Sequence, residues 1–366
     1  MNKTQTPKRA HKNFDSEAIT AVFLLFLSAF LIFTVSILMF RSCERVESSD
    51  APQESTTVPT IDVQKPPLTS KPYFSEQSQT VSFNTSSQYV VLTNEKTGEI
   101  VASLSSGTRF SPASMTKVMT LIVMCERLSE ADLNKTLTFT KELYDYVRGG
   151  NYAGSTNYGI DVDDEYKIKD LLYGIGLKSA SDCVLPVVLY LAGTEEQFVV
   201  WMNEKVAELG LENTHFDNPI GYESPNNYTT AEDMSQIMAY AMKNELVCST
   251  LSKEVHKSTA AGYSSTGEYN PSFPITFYSS LFGMNDGSRM YNYKQTYGVE
   301  FKLETTKLLA GKTGYLENDG VKNHCLVLYL KDLDSDEHYI LVVGGGTELQ
   351  AATMKDIKNI LDAYIK

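Results

Sequence analysis

From Met115 to Leu128 the chain is apolar at Met115, Val118, Met119, Leu121, Ile122, Met124, Cys125 and Leu128. Wound as a helix, that stretch is apolar on most of its faces, so it must lie in the middle of a domain. Any fold open to this chain has to wrap other elements around it. Ser111-Pro112-Ala113 opens the helix: Ser111 suits the N-cap and Pro112 the first helical position. Ser114 and Lys117 follow in its first turn. Positions i and i+3 share a helix face, so the Lys117 amine can lie beside the Ser114 hydroxyl. A serine alkoxide is hard to form, and an adjacent base is the usual remedy. Lysine does that work only when neutral, and full burial lowers its pKa by up to about 3–5 units. The pair is a candidate acylatable serine, although Ser-x-x-Lys alone is a weak pattern.

The remaining elements suggest how such a helix is covered. Tyr89–Thr93 reads as a strand, Asn94–Gly98 as a turn, and Glu99–Leu104 as the returning strand. From Leu143 to about Asn244 the pattern is mostly helical, clearest over Ile168–Leu191 and Glu195–Leu209. Thr230-Ala231-Glu232-Asp233 has the form of a capping box opening another helix. Phe273–Tyr297 is loop-like and aromatic. Strands return at Lys307–Gly314, Asn323–Leu330 and His338–Val343, with Asp332–Asp336 as a charged turn. Ala351–Ile365 carries Met354, Ile357, Leu361 and Tyr364 at helical spacing. Two early strands, three late strands and helices between them predict an α/β (α+β layered) fold. It would be one antiparallel sheet flanked by helices, with an inserted helical lobe.

Ahead of this lies a different kind of sequence. Ala18–Phe40 has no charged side chain. At about 1.5 Å per helical residue it is long enough to cross a bilayer core. A cleavable signal is the rival, but no Ala-x-Ala follows the run, and Arg41 beside Ser42-Cys43 argues against a lipoprotein site. The expectation is an uncleaved anchor at 18–40 behind a cytoplasmic tail at 1–17. Lys3, Lys8, Arg9 and Lys12 precede the run, and the basic excess orients the bulk of the chain outside the cell membrane. Residues 41–87 are rich in Ser, Thr, Pro and Gln and read as a disordered linker, which leaves 88–366 as the catalytic domain. The formal charge of -13 excludes a general nucleic-acid role, which needs a basic footprint. An anionic substrate would have to be held by a few local lysines.

Lys-Thr-Gly occurs twice. Lys96-Thr97-Gly98 falls in the short turn and is turn chemistry. Lys312-Thr313-Gly314 follows a strand, where it would present an ammonium and a hydroxyl to a cleft and let a backbone approach at Gly314. With Pro112-Ala113-Ser114-Met115-Thr116-Lys117, Leu171-Leu172-Tyr173-Gly174, Ser179-Ala180-Ser181-Asp182 and Lys312-Thr313-Gly314-Tyr315, the chain resembles the low-molecular-mass penicillin-binding proteins, the serine-type D-alanyl-D-alanine carboxypeptidases. Met202-Asn203-Glu204-Lys205 and Asn213-Thr214-His215-Phe216 to Asn218-Pro219 are similar to the segment between the motifs. Order and spacing agree from about Tyr89 to Lys366.

The resemblance implies a β-lactamase/transpeptidase-like fold and an acyl-enzyme. Ser114 would attack the carbonyl between two D-alanines of a peptidoglycan stem peptide, and Lys117 would take its proton. Ser179 would relay a proton to the leaving amine. Lys312 and Thr313 would hold the terminal carboxylate, and the backbone N–H groups of Ser114 and Tyr315 would form the oxyanion hole. No metal or cofactor is implied, and β-lactams would be covalent inhibitors. One position departs from the pattern: the second motif normally ends in Asn, and here it ends in Ser181. A serine offers less reach and fewer donors than a carboxamide, so the substrate-orienting role of Ser181 is an open point. A β-lactamase and a non-catalytic β-lactam or muropeptide sensor are the alternatives. Glu208, Leu211 and Glu212 do not reproduce the deacylating loop of class A β-lactamases.

Other candidates take plainer readings. His215 is a satisfied structural histidine, and Tyr144, Tyr146, Tyr152 and Tyr158 are packing residues. Cys43, Cys125, Cys183, Cys248 and Cys325 are odd in number and lack metal spacing; Cys125 and Cys183 read as small buried hydrophobes.

Overall fold

β-branched and aliphatic runs near both ends of the domain meet in one six-stranded sheet. The structure is a computed structural model. It describes residues 69–259, 276–281, 303, 305–318, 320–347 and 350–365, all within the unit Thr60–Lys366. The tail at 1–17 and the expected anchor at 18–40 lie outside the described residues, as does most of Phe273–Tyr297. Among the described residues no single helix is long and apolar enough to cross a membrane.

The chain begins with β1 (Tyr73–Thr80), β2 (Tyr89–Asn94) and β3 (Glu99–Leu104). A 3-10 turn, Ala113–Met115, leads into α1 (Thr116–Cys125). Then follow α2 (Glu130–Leu133), β4 (Thr136–Thr138), α3 (Lys141–Arg148) and β5 (Glu165–Lys167). The helical lobe continues with α4 (Ile168–Lys178), α5 (Ser181–Ala192), α6 (Glu195–Glu208), α7 (Ala231–Met242) and α8 (Glu245–Ser252). A ribbon of β6 (Val255–Lys257) and β7 (Thr276–Tyr278) precedes β8 (Thr306–Asn318), β9 (Val321–Asp332), β10 (His338–Gly346) and α9 (Gln350–Tyr364).

The main sheet runs β1-β3-β2-β10-β9-β8. Successive side chains of a strand point to opposite faces, and both faces here are covered. Val91, Ile100, Val327, Ile340 and Val342 join the core that surrounds α1. Their neighbours Val90, Leu92, Leu328, Leu341 and Val343 pack with Met354, Ile357, Ile360 and Leu361 of α9. All ten residues of α1 are buried, as its sequence requires, and α9 presents the expected apolar stripe.

Four expectations are corrected. The linker reading of 41–87 fails at its end, because Tyr73–Thr80 is β1. This strand is exposed along most of its length, so it carries no apolar alternation. Backbone pairing holds it, with Tyr73 N–H donating to Gly98 O at 3.0 Å and Val81 N–H to Ser103 O at 2.9 Å. The sheet is mixed, because β1 pairs with β3 in parallel. Ile168–Leu191 is two helices, broken where Ser179 takes a left-handed conformation at φ 61°. Finally, Ser111 does not cap α1: the entry is a 3-10 turn without a side-chain cap, and the Ser111 hydroxyl has no partner among the described residues.

Candidate active site

The entry to α1 is a strained turn. Ala113 lies at φ 47° and Ser179 at φ 61°, a region where non-glycine residues persist only if their surroundings hold them, at about 1–3 kcal/mol each. The clamp on Ala113 is visible. Gly221, at φ 73°, approaches so closely that a Cβ there would sit 1.8 Å from the Ala113 carbonyl oxygen. On the other side, a Cβ at Gly314 would meet Cys325 Sγ at 2.5 Å, Pro112 O at 3.0 Å and Ala113 Cβ at 3.2 Å. The glycine of the Lys-Thr-Gly triplet therefore serves to seat β8 against the Ser114 turn. Below the turn the Cys325 thiol donates to Pro112 O at 3.3 Å. Burial pushes that thiol up to about 12, so it stays protonated.

Lys117 is 1% exposed. Its amine donates to Ser114 Oγ at 3.1 Å and to Ile220 O at 2.6 Å. Burial holds it well below the ordinary lysine value; the charge of Lys312 lowers it further, and Asp182 opposes. An amine whose pKa burial has lowered, in contact with a half-buried serine hydroxyl, is the arrangement that nucleophilic activation requires. The Ile220 carbonyl is aimed by Asn218, whose Oδ1 accepts from Ile220 N at 3.3 Å and Tyr222 N at 2.9 Å.

Ser114 opens on a cleft of about 480 Å³ shared with Ser179, Thr313, Gly314 and Tyr315. Ser179 Oγ has no hydrogen-bond partner among the described residues. The left-handed turn at Ser179 brings it to the cleft, between the last residue of α4 and the first turn of α5. Thr313 Oγ1 lies 3.3 Å from Ser280 Oγ, so two hydroxyls converge at that end. Ser114 and Tyr315, the expected oxyanion-hole residues, both line the cleft.

Two expected site residues do not line it. Lys312 is 1% exposed and donates to the carbonyl of Thr313 at 2.9 Å. It stands behind the cleft, where burial lowers it to about 7, and it acts on Lys117 through its charge. Ser181 is fully buried at the start of α5. Its N–H donates to Thr156 O at 2.8 Å and its hydroxyl has no partner among the described residues. Ser181 is not among the residues that line the cleft.

Further residues complete the surroundings of the cleft. Asp182 accepts from the N–H groups of Tyr158, Gly159 and Ile160 at 2.9–3.1 Å and from Arg148 at 3.4 Å, which ties the 158–160 loop to α5. Lys178, Lys322, His324, Ser280 and Thr156 also line the cleft. His215 is structural as expected, with Nδ1 2.7 Å from Asn226 O. Glu208 pairs with Lys205 at 2.8 Å, and neither Glu208 nor Glu212 lines the cleft. Tyr146 and Tyr152 donate to Glu195, in keeping with packing roles. Cys125 and Cys183 are free and buried.

A mixed sheet with a central buried helix, and a Ser-x-x-Lys pair facing a second serine and a Lys-Thr-Gly strand, together have the layout of a serine acyl-transfer site. The sequence profile of the D-alanyl-D-alanine carboxypeptidase family matches residues 75–281, and the chain belongs to that family. It is 32% identical over 160 residues to the D-alanyl-D-alanine carboxypeptidase DacF of Bacillus subtilis, an overlap of 43% of this chain and 39% of that protein. It is 29% identical over 208 residues to the D-alanyl-D-alanine carboxypeptidase of Streptomyces sp. strain K15, covering 53% of this chain and 69% of the relative. The matched region thus spans about two fifths of the length of DacF. In fold, the chain is similar to the crystal structure of the Streptomyces K15 DD-transpeptidase, with TM-score 0.60, 23% identity and coverage of 76% and 97% of the two chains. It is also similar to penicillin-binding protein 5 of Haemophilus influenzae, with TM-score 0.58, 20% identity and coverage of 76% and 71%.

Proposed function

We propose that this protein is a serine-type D-alanyl-D-alanine carboxypeptidase that removes the terminal D-alanine from peptidoglycan stem pentapeptides. The observation that carries this is the contact of the buried Lys117 amine with Ser114 Oγ at 3.1 Å, at the floor of a cleft holding a second free hydroxyl.

The chemistry follows from these groups. Neutral Lys117 takes the Ser114 proton as Oγ attacks the carbonyl carbon of the penultimate D-alanine. The carbonyl oxygen gathers negative charge, and the N–H groups of Ser114 and Tyr315 stabilise it, an effect worth about 3–4 kcal/mol per donor in comparable sites. The C–N bond breaks as the leaving amine is protonated through Ser179, and D-alanine departs. The Thr313 and Ser280 hydroxyls receive its carboxylate, with Lys312 supplying positive potential from behind. Water then attacks the ester on Ser114 and restores the hydroxyl. A β-lactam, which mimics the terminal dipeptide, would follow the first half of this path and remain on Ser114.

The placement is part of the proposal. The uncharged run Ala18–Phe40, with Lys3, Lys8, Arg9 and Lys12 before it, supports a single membrane anchor with the N-terminus in the cytoplasm and the catalytic domain outside, next to the wall. The test is fluorescent penicillin labelling of the full chain together with release of D-alanine from a synthetic pentapeptide. Covalent labelling that Ser114→Ala abolishes, with D-alanine released by the parent, is expected. Labelling that persists in Ser114→Ala would refute the nucleophile.

A further inference from the structure

Asp170 and His256 form a buried pair that the proposed reaction does not use. Asp170, in the first turn of α4, is 0% exposed, and His256, on β6, is 7% exposed. His256 Nε2 lies 2.7 Å from Asp170 Oδ1. An ionised carboxylate only accepts, so Nε2 carries the proton and donates. The other oxygen, Oδ2, accepts from the N–H and the hydroxyl of Thr259, both at 3.0 Å. Against the cost of burial, these bonds hold the Asp170 carboxyl below its ordinary value. One carboxylate at the start of α4 therefore grips β6 at His256 and the chain just past it at Thr259.

What it grips is small. β6 and β7 have three residues each and, among the described residues, pair only with one another. Such a ribbon is marginal by itself and takes its place from what it rests on. The Phe277 ring supplies burial: it is 0% exposed, and a Cβ at Gly174 of α4 would meet it at 3.0 Å. Burial is non-directional, so it sets depth and leaves sliding open. Asp170 supplies direction. His256 faces Phe277 across the ribbon and stacks with it at 6.4 Å between centroids, and with Tyr173 of α4 at 3.9 Å. A hydrogen bond that fixes the His256 ring therefore fixes the register of β7. Just past β7 the chain reaches the cleft. Ser279 N–H donates to Glu254 O at 2.8 Å and Ser280 N–H to Leu177 O at 2.9 Å. Ser280 lines the cleft, its hydroxyl 3.3 Å from Thr313 Oγ1. The start of α4, through Asp170, and its end, through Leu177, both hold the stretch that carries Ser280.

We propose that Asp170 and His256 are positioning residues, whose buried hydrogen bond sets where the Ser280 hydroxyl stands at the Thr313 end of the cleft. Neither side chain lines the cleft, so both act through the ribbon. The consequence for turnover rests on the carboxypeptidase reading, in which Thr313 and Ser280 receive the carboxylate of the leaving D-alanine. Loosening the ribbon then impairs the step in which that carboxylate is held, which is formation of the acyl-enzyme. It spares the step after D-alanine has gone, in which water releases the ester from Ser114.

The test uses the full chain. His256→Phe keeps a stacking ring and removes the Nε2–H donor; His256→Gln keeps a donor at similar reach. Hydrogen exchange over 276–281, read by mass spectrometry, is expected to quicken at least about tenfold in His256→Phe and to stay near the parent rate in His256→Gln. In D-alanine release from a D-Ala-D-Ala peptide, His256→Phe should lower kcat/KM about tenfold while hydrolysis of the acyl-enzyme keeps its rate; a fold-wide defect would slow both. With Ser280→Ala already present the fall should shrink to under about twofold, because the positioned group is gone. Unchanged exchange over 276–281 in His256→Phe overturns the proposal, as does a full tenfold fall in the Ser280→Ala background or a His256→Gln variant that behaves like His256→Phe. If His256→Phe does not fold, Thr259→Val, which removes a hydroxyl donor to Asp170 from an exposed position, is read the same way with a smaller expected change. If the parent releases no D-alanine, the carboxypeptidase reading falls and the exchange comparison alone judges the anchor.

Discussion

The Lys117 amine is held 2.6 Å from the carbonyl of Ile220, 103 positions later in the chain. That contact fixes the amine against Ser114, and the next residue, Gly221, is what lets the Ile220 segment come close enough. Gly221→Ala would place a methyl 1.8 Å from the Ala113 oxygen, at a positive φ as well. Loss of about 2–4 kcal/mol of stability is expected, together with a fall in penicillin acylation of at least tenfold. Thermal melting and labelling rate would check the two effects. Unchanged labelling would mean that the Ile220 carbonyl does not position the base.

Lys312 titrates near 7 by burial, and only its charged form attracts a carboxylate. It is cationic below that value and neutral above it, so kcat/KM for a D-Ala-D-Ala peptide should fall as pH rises through about 7 in the free protein. Arginine stays charged throughout this range. Lys312→Arg should therefore lose the alkaline fall, whatever its absolute rate. A pH profile of kcat/KM for both proteins is the measurement.

The same burial has a cost in stability. Lys312 has a folded pKa below its unfolded value of 10.5, so the unfolded chain binds more protons between those values and stability rises with pH across that window. Lys312→Met should be the more stable protein by a few kcal/mol at pH 6 (~1.4 kcal/mol for each pKa unit). Its advantage should shrink between pH 7 and 10.5, as read by urea midpoints. A constant difference across that range would show that the ammonium is not desolvated.

Ser181 and Asp182 are neighbours with opposite expectations. The Ser181 hydroxyl is buried without a partner among the described residues, so Ser181→Ala should cost under about 1 kcal/mol and leave penicillin labelling within about twofold. Asp182 accepts three backbone N–H groups and pairs with Arg148. Asp182→Asn should cost about 3–5 kcal/mol and slow acylation by freeing the 158–160 loop. Parallel urea titrations and labelling time courses would rank the two.

Away from the cleft, Lys205 and Glu126 form an ion pair at 2.8 Å with side chains 3% and 1% exposed, and the Tyr240 hydroxyl donates to Glu126 at 2.6 Å. Glu126→Gln leaves the buried Lys205 ammonium with the half-exposed Glu208 carboxylate as its remaining partner and should cost about 1–3 kcal/mol. Glu126→Leu with Lys205→Met should recover most of that loss, measured by the same denaturation curves.

Several of these features are legible in the order of residues. The all-apolar helix has to be central. The spacing of Ser114 and Lys117 places hydroxyl and amine together, because a helical turn is a local geometry. Lys96-Thr97-Gly98 can be set aside because Asn94, two and three residues earlier, caps the N–H groups of that turn. β1 is hidden because an exposed edge strand needs no apolar pattern. The break at Ser179 is hidden because α4 and α5 are both apolar, so periodicity runs through the turn that separates them.

By itself, then, the amino-acid sequence determined the secondary elements with strong periodicity and the contact between the Lys117 amine and the Ser114 hydroxyl. Tertiary structure alone decided which distant groups act on that pair. The Ile220 carbonyl, the Gly221 clamp, the charge of Lys312 behind the cleft and the Asp182 anchor all come from positions far apart in the chain. Their effects depend on burial and on distances of a few ångströms, and those quantities exist only once the chain has closed around its central helix.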